Sequence, residues 1–193
     1  MSNVAGTASA TSQTLSFTPD DKLELLFDPK LIPNDVKAAL PNHLHIRPLS
    51  LTDYGRGHLS VLSVLTQTPD VGAAAWSAAF GLMRSTPNTY YAIAIVDKAL
   101  DRVVGVGTVF MERKFLRGLG VVGHIEDIAV DKQSQGHKLG LRIIQTLTAI
   151  SEGQGAYKTI LNCSTDNIPF YQKCGYEEKE REMAKYATGV SKL

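Results

Sequence analysis

"GHIEDIAVDKQSQGHKLGLRIIQTL", Gly123–Leu147, decides how this chain folds. Its first eight residues form an apolar run suited to a strand, interrupted by two adjacent carboxylates, Glu126 and Asp127. A turn holding Gly136, His137, Lys138 and Gly140 follows. From Leu139 to about Glu152, Ile143, Ile144, Leu147 and Ile150 recur on one face of a helix, and Gly153 and Gly155 can end it. "YKTILNC", Tyr157–Cys163, reads as the next strand. A strand, a helix and a strand in sequence predict a parallel pair joined by a crossover.

Upstream, "HLHIRPL" (His43–Leu49) reads as a first strand ended by Pro48. A helix is expected from Thr52 to about Leu65, and a second from Ala73 to Arg84, where Trp76, Phe80 and Met83 recur at helical spacing. "YYAIAIV" (Tyr90–Val96) and "RVVGVGTVFMER" (Arg102–Arg113) are strands around the turn "DKALD". Glycines inside the second imply a bulge or the close approach of another segment. "KFLRGLG" is a loop, and Val121–Val130 completes a three-stranded meander. Downstream, Asn167 can cap a short helix with Pro169 in its first turn and Gly175 as its stop. A last strand is expected over Glu182–Tyr186. The fold class is therefore α/β (α+β): a mixed, mostly antiparallel sheet flanked by helices.

The totals narrow the function. The chain has 193 residues and a formal net charge of +1, so no global field draws it to nucleic acid or to an anionic membrane. Neither nucleic acid nor membrane is expected as a partner, and no apolar run reaches the length of a membrane span. The start, "MSNVAGTASATSQTL", has neither a secretory pattern nor arginine. Cys163 and Cys174 match no zinc spacing, so no metal is expected, and they read as two reduced thiols. The chain ends Ser191-Lys192-Leu193, which spells a peroxisomal address on an otherwise cytoplasmic reading. Residues 1–42 are expected as a flexible extension with a short apolar segment (Leu23, Leu25, Leu26, Phe27), residues 43–186 as one domain, and 187–193 as a tail.

The turn between strand and helix suits an anion. Free amides at a helix start and the helix dipole favour phosphate, and His137 and Lys138 add positive charge. It is neither a P-loop nor a dinucleotide fingerprint. The motif Gln135-Gly136-His137-Lys138-Leu139-Gly140, set between "GHIEDIAV" and "LGLRII" and followed by "YKTILNC" and "FYQKCGY", resembles the GNAT superfamily of acetyl-CoA-dependent N-acetyltransferases. Within it the likeness is nearer to the branch that acetylates glucosamine 6-phosphate, and it spans about residues 43–186. Lys138 stands where the superfamily usually has glycine.

The resemblance implies direct attack of an amine on the acetyl thioester, with no covalent enzyme intermediate. It implies a parallel pair that splays, so that acetyl-CoA lies in the gap like an added strand. The amide of Ile128 would face the acetyl carbonyl, Ala129 and Val130 would run beside the pantetheine arm, and Gln135 to Gly140 would hold the pyrophosphate. Asn167 and Lys173 would contact the cofactor arm, and Tyr171 would protonate the thiolate. Glu126 and Asp127 would face the amine. Successive strand residues point to opposite faces, so both acids can aim at one ligand only across a bulge. No histidine needs to serve as base. Thr66 and Lys114, Phe115, Leu116 and Arg117 occupy positions that help to bind the sugar phosphate. Asn162 replaces an acid, and Tyr186 an arginine, at substrate-contacting positions. The resemblance also implies a homodimer with a shared acceptor site, in which Glu182–Tyr186 pairs with the partner subunit. Another small amine, or a protein amine, is the alternative acceptor.

Overall fold

The computed structural model describes residues 17–188. The opening "MSNVAGTASATSQ" and the terminal Ser191-Lys192-Leu193 lie outside the described residues. Five strands form one sheet in chain order: β1 (Leu44–Pro48), β2 (Tyr90–Asp97), β3 (Arg102–Arg113), β4 (Val121–Val130) and β5 (Ala156–Leu161). The first four pair antiparallel and β4 pairs β5 parallel. The helices are α1 (Asn34–Ala38), α2 (His58–Leu62), α3 (Ala73–Arg84), α4 (Leu116–Leu119), α5 (Leu139–Gly153) and α6 (Ile168–Lys173). Among the described residues no helix is long and apolar enough to cross a membrane.

α5 supplies the crossover and covers one face of the sheet with Ile143, Ile144, Leu147 and Ile150, all nearly solvent-free. It sits so close that strand glycines are required beneath it. A Cβ at Gly107 would come 2.6 Å from Ile143, and one at Gly123 would come 2.0 Å from Ser151 Oγ. Gly107 thus marks the close approach that the β3 glycines suggested. α2 and α3 cover the other face, where Val61, Trp76 and Phe80 pack on Ala92, Ala94, Val106 and Ala129.

The helix expected from Thr52 to Leu65 is shortened to His58–Leu62. The cause is local. Asp53 is fully buried and accepts both guanidinium N–H groups of buried Arg47, at 2.6 and 2.7 Å, and the amide of Ser50 at 2.8 Å. That triple engagement holds residues 50–57 in turns, and Gly57 (φ 86°) starts the helix late. Residues before 43 also join the core: Leu26, Ile32, Val36 and Leu40 are buried, and the Leu26 amide donates to the Leu49 carbonyl at 2.9 Å. The loop after β3 contains the one-turn α4, with Arg117 and Gly118 in left-handed conformations. The strand expected over Glu182–Tyr186 is absent. Among the described residues, that segment has no backbone pairing and is exposed.

Candidate active site

The site begins with one extra residue in β4. Thr108 of β3 pairs with Glu126, and Val106 pairs with Ala129, so Gly107 faces two residues, Asp127 and Ile128. This is a β-bulge, and Asp127 takes the left-handed backbone (φ 56°) that such an insertion demands. Aspartate tolerates that region better than most residues. The bulge shifts the phase of the strand. Ile125 packs on the α5 side, yet so does Ile128 three residues later, while Ala129 turns to the α2–α3 side. Both acids consequently line one hollow, as the sequence allowed only with a bulge.

The same irregularity opens the sheet. The β4–β5 ladder ends at the pair Ile125–Leu161, although β4 continues to Val130. From Glu126 onward the β5-facing edge of β4 has no strand beside it among the described residues. This is the splayed parallel pair that the resemblance implied. β5 ends at Leu161, two residues earlier than expected, which frees Asn162, Cys163 and Ser164 to line the hollow.

Glu126, Asp127, Ile128, Asn162, Asn167 and Tyr171 meet in this first hollow. Packing around the Glu126 carboxyl pushes its pKa up, Asp127 and Glu182 push the same way, and His124 opposes them. Burial likewise raises the Tyr171 pKa, with Cys163, Cys174 and Tyr176 adding to the effect. The Tyr171 ring is held edge-on to Phe170 at 5.0 Å, and its hydroxyl has no hydrogen-bond partner among the described residues. Without a partner, the hydroxyl is free to donate a hydrogen bond to a ligand in the hollow.

A second hollow continues along β4 and α6, lined by Val130, Gln135, Gly136, Lys138, Leu139, Gly140 and Lys173. Here α5 begins. Its first intrahelical bond runs from the Arg142 amide to the Lys138 carbonyl, leaving the amides before it available to an anion. Lys138 is itself left-handed (φ 57°), the conformation that glycine would adopt freely, at a cost of about 1–2 kcal/mol for a residue with a Cβ. Gly140 has a packing role: a Cβ there would come 3.4 Å from Phe170, so the glycine lets α6 lie against the start of α5. Asn167 stands at the N-cap of α6 but makes no side-chain cap bond.

Other expected residues fall outside both hollows. Ala129 is buried in the opposite core. His137 faces the ring of His43 at 6.2 Å. Thr66 lies past the end of α2 and is exposed; its neighbour Leu65 lines the first hollow instead. Lys114 is paired with Glu112 at 2.8 Å. Phe115 and Leu116 are exposed, and the Arg117 guanidinium lies 6.0 Å from the Tyr157 ring. Tyr186 is exposed and lines neither hollow. Sequence reasoning missed Leu65, Cys163 and Ser164 because strand and helix ends decide them. Phe170 was reachable, since it precedes Tyr171 and faces the helix-start glycine.

Fold and site together suit an acyl-CoA-dependent transferase: a sheet parted beside a helix start, with acids at one end of the gap and free helix-start amides at the other. The chain belongs to the GNAT acetyltransferase family, whose model matches residues 62–176. It is 37% identical over 158 residues to glucosamine 6-phosphate N-acetyltransferase 1 of Dictyostelium discoideum, covering 82% of this chain and all of that protein. It is 39% identical over 144 residues to the glucosamine 6-phosphate N-acetyltransferase of Candida albicans, covering 75% of this chain and 96% of that one. The crystal structure of glucosamine-6-phosphate N-acetyltransferase from Arabidopsis thaliana superposes with a TM-score of 0.73 at 35% identity, over 74% of this chain and 97% of that one.

Proposed function

We infer that the chain transfers the acetyl group of acetyl-CoA to the amine of glucosamine 6-phosphate by direct attack, giving N-acetylglucosamine 6-phosphate for UDP-N-acetylglucosamine synthesis. The observation that carries this reading is the bulge at Asp127, which turns two carboxylates into the opening between β4 and β5, in the hollow that also holds Tyr171. The relatives named above act on this acceptor by name, and they align along nearly their whole length.

Acetyl-CoA lies along the free edge of β4 as an added strand, its pyrophosphate at Gln135–Gly140 and its arm beside Asn167 and Lys173. The Ile128 amide, next to the bulge, donates to the acetyl carbonyl as its oxygen becomes negative. Glu126 takes a proton from the acceptor ammonium, and the freed amine forms the C–N bond. As the C–S bond breaks, Tyr171 donates a proton to the departing thiolate, and the second proton that leaves the nitrogen as the amide forms restores the Tyr171 hydroxyl. A base that holds its proton more tightly than an ordinary carboxylate fits the direction of the Glu126 shift.

The phosphate needs a cation. Lys114–Arg117 begins at the far end of the β3–β4 hairpin, five residues before Glu126 along β4, which is about 17 Å of strand. Within one chain the two do not meet. In a homodimer the partner subunit's copy of this loop completes the acceptor site. Phe115, Leu116 and Met183, at 95, 72 and 94% exposure, are the apolar side chains that such an interface would cover, with the unpaired Glu182–Tyr186 segment. Asn162 offers the sugar hydroxyls hydrogen bonds without charge. It lines the hollow where the superfamily branch has an acid, and this favours keeping another small amine as the second reading.

The test is CoA release, measured as free thiol, over a panel of amines. Glucosamine 6-phosphate is expected to exceed unphosphorylated glucosamine by at least an order of magnitude in kcat/KM, since each charge-assisted hydrogen bond contributes about 1.5–3 kcal/mol. Equal rates for the two sugars overturn the phosphate site, and a faster amine of another class replaces the acceptor.

A further inference from the structure

Glu126 has a companion on its face of β4. Alternation brings His124, two residues earlier, to the same side of the strand, about 7 Å away along it. Phe110, its cross-strand partner on β3, stacks on the imidazole at 4.6 Å and 15°, which fixes the plane of the ring. Glu112 Oε2 lies 2.8 Å from His124 Nε2, and Lys114 Nζ lies 2.8 Å from Glu112 Oε1. A row of ionisable groups therefore runs from the acceptor hollow down the sheet to a carboxylate in contact with solvent; the side chains of His124 and Glu112 are 23 and 38% exposed.

The reaction requires such a row. An ammonium carries three hydrogens on nitrogen, the amide product carries one, and the CoA thiol receives one. One proton per turnover must leave the site. Glu126 sits in the hollow that substrates fill, so its direct path to water closes when they bind. The geometry points to His124, backed by Glu112, as the group that receives the proton from Glu126 and passes it to solvent. This rests on the acetyltransferase reading above. His124 touches no substrate in this scheme and is a positioning and relay residue that acts through Glu126.

The charged groups facing Glu126 are Asp127 and His124 on β4 and Glu182 from the C-terminal segment. Around the same hollow, Leu65 after α2 and Asn162 after β5 bring no charge, and Cys163 and Tyr171 bring neutral thiol and hydroxyl groups. Those facing His124 are Glu112 and, through it, Lys114. Of the groups facing Glu126, only His124 favours the ionised carboxylate. Its removal should therefore demand a higher pH for the same activity.

Two measurements test this on the full chain. The first is kcat/KM for glucosamine 6-phosphate against pH, at saturating acetyl-CoA, for wild type, His124→Asn and Glu112→Gln. The acidic limb of His124→Asn should move up by about one unit, giving about a ten-fold deficit at the low-pH end that closes at high pH. Glu112→Gln should move it less and in the same direction, with the KM for acetyl-CoA unchanged in both. A deficit that is the same at every pH in both variants means a structural role and overturns the relay. The second is the NMR titration of the His124 imidazole in wild type and in Glu126→Gln, which needs no acceptor. A lower midpoint in Glu126→Gln supports the coupling, and an identical midpoint overturns it. A wild type that is inactive toward glucosamine 6-phosphate, with the NMR coupling intact, removes the acceptor assignment and leaves His124 tied to Glu126.

Discussion

Substitution at Asp127 separates backbone shape from side-chain charge. The residue is left-handed at φ 56° inside the bulge, where a β-branched side chain is strained by about 1–2 kcal/mol. Asn is tolerated there nearly as well as Asp, and Gly is free of the penalty. Asp127→Val should lower the melting temperature by roughly 2–8 °C, at about 2–4 °C per kcal/mol for a chain of this size. Asp127→Asn should leave it within a degree or so, and Asp127→Gly should leave it unchanged or slightly higher. Activity should follow the backbone. Asp127→Asn should keep kcat/KM within about ten-fold of wild type, whereas Glu126→Gln, which removes the base, should lose about 100-fold or more. The assay is thiol release at pH 7.5 beside differential scanning calorimetry on the same preparations. If Asp127→Asn is as damaged as Glu126→Gln, the Asp127 carboxylate itself carries chemistry and the backbone assignment fails. If Asp127→Val melts with wild type, the bulge is not held as described.

Three further outcomes follow from other parts of the structure. Tyr171→Phe should lower kcat much more than it weakens acetyl-CoA binding by calorimetry; unchanged turnover would make the ring structural. His58 accepts a hydrogen bond from Trp76 Nε1 at Nδ1 (3.2 Å), and burial lowers its pKa from 6.5 to about 4. Between these values the unfolded chain binds more protons, so this stability is complete above pH 6.5 and about 3 kcal/mol of it is lost as pH falls toward 4. Urea midpoints measured against pH should show that slope in wild type and lack it in His58→Phe. Asp53→Ala leaves buried Arg47 unpaired and should cost about 3–5 kcal/mol by the same denaturation assay, and a loss below 1 kcal/mol would mean that the 50–57 turns hold without it.

Much of the fold was legible because periodicity and local chemistry agreed. α3 begins and ends where its aromatic spacing placed it, between Gly72 and Ser85. β3 and β4 matched their apolar runs, and the glycines of β3 announced the closeness of α5. What escaped was set by contacts distant in sequence or by single dihedral angles. The Thr52 helix lost its first turns to Arg47, six residues before Asp53, since helical periodicity cannot register a buried ion pair. The bulge could be named as a condition for Glu126 and Asp127 to share a ligand, but its position depends on which residue of β3 is skipped. Among the described residues Glu182–Tyr186 has no strand to join, which its local sequence cannot register. The turn Gln135–Gly140 was read by motif, yet His137 turned toward His43, a residue nearly a hundred positions earlier.

The phase shift at Asp127 also limits how this gene can vary. Loops absorb insertions and deletions freely, whereas here one residue of length decides whether the two acids share a hollow. Removing one residue between Gly123 and Asp127 would abolish the bulge: Ile128 and Val130 would stay on the α5 side and Ala129 on the α2–α3 side, but Glu126 and its neighbour would return to opposite faces. Substitutions in this stretch are open to selection one at a time, but its length is not. A library that randomises residues and spacing together should recover active clones with many sequences and a single spacing.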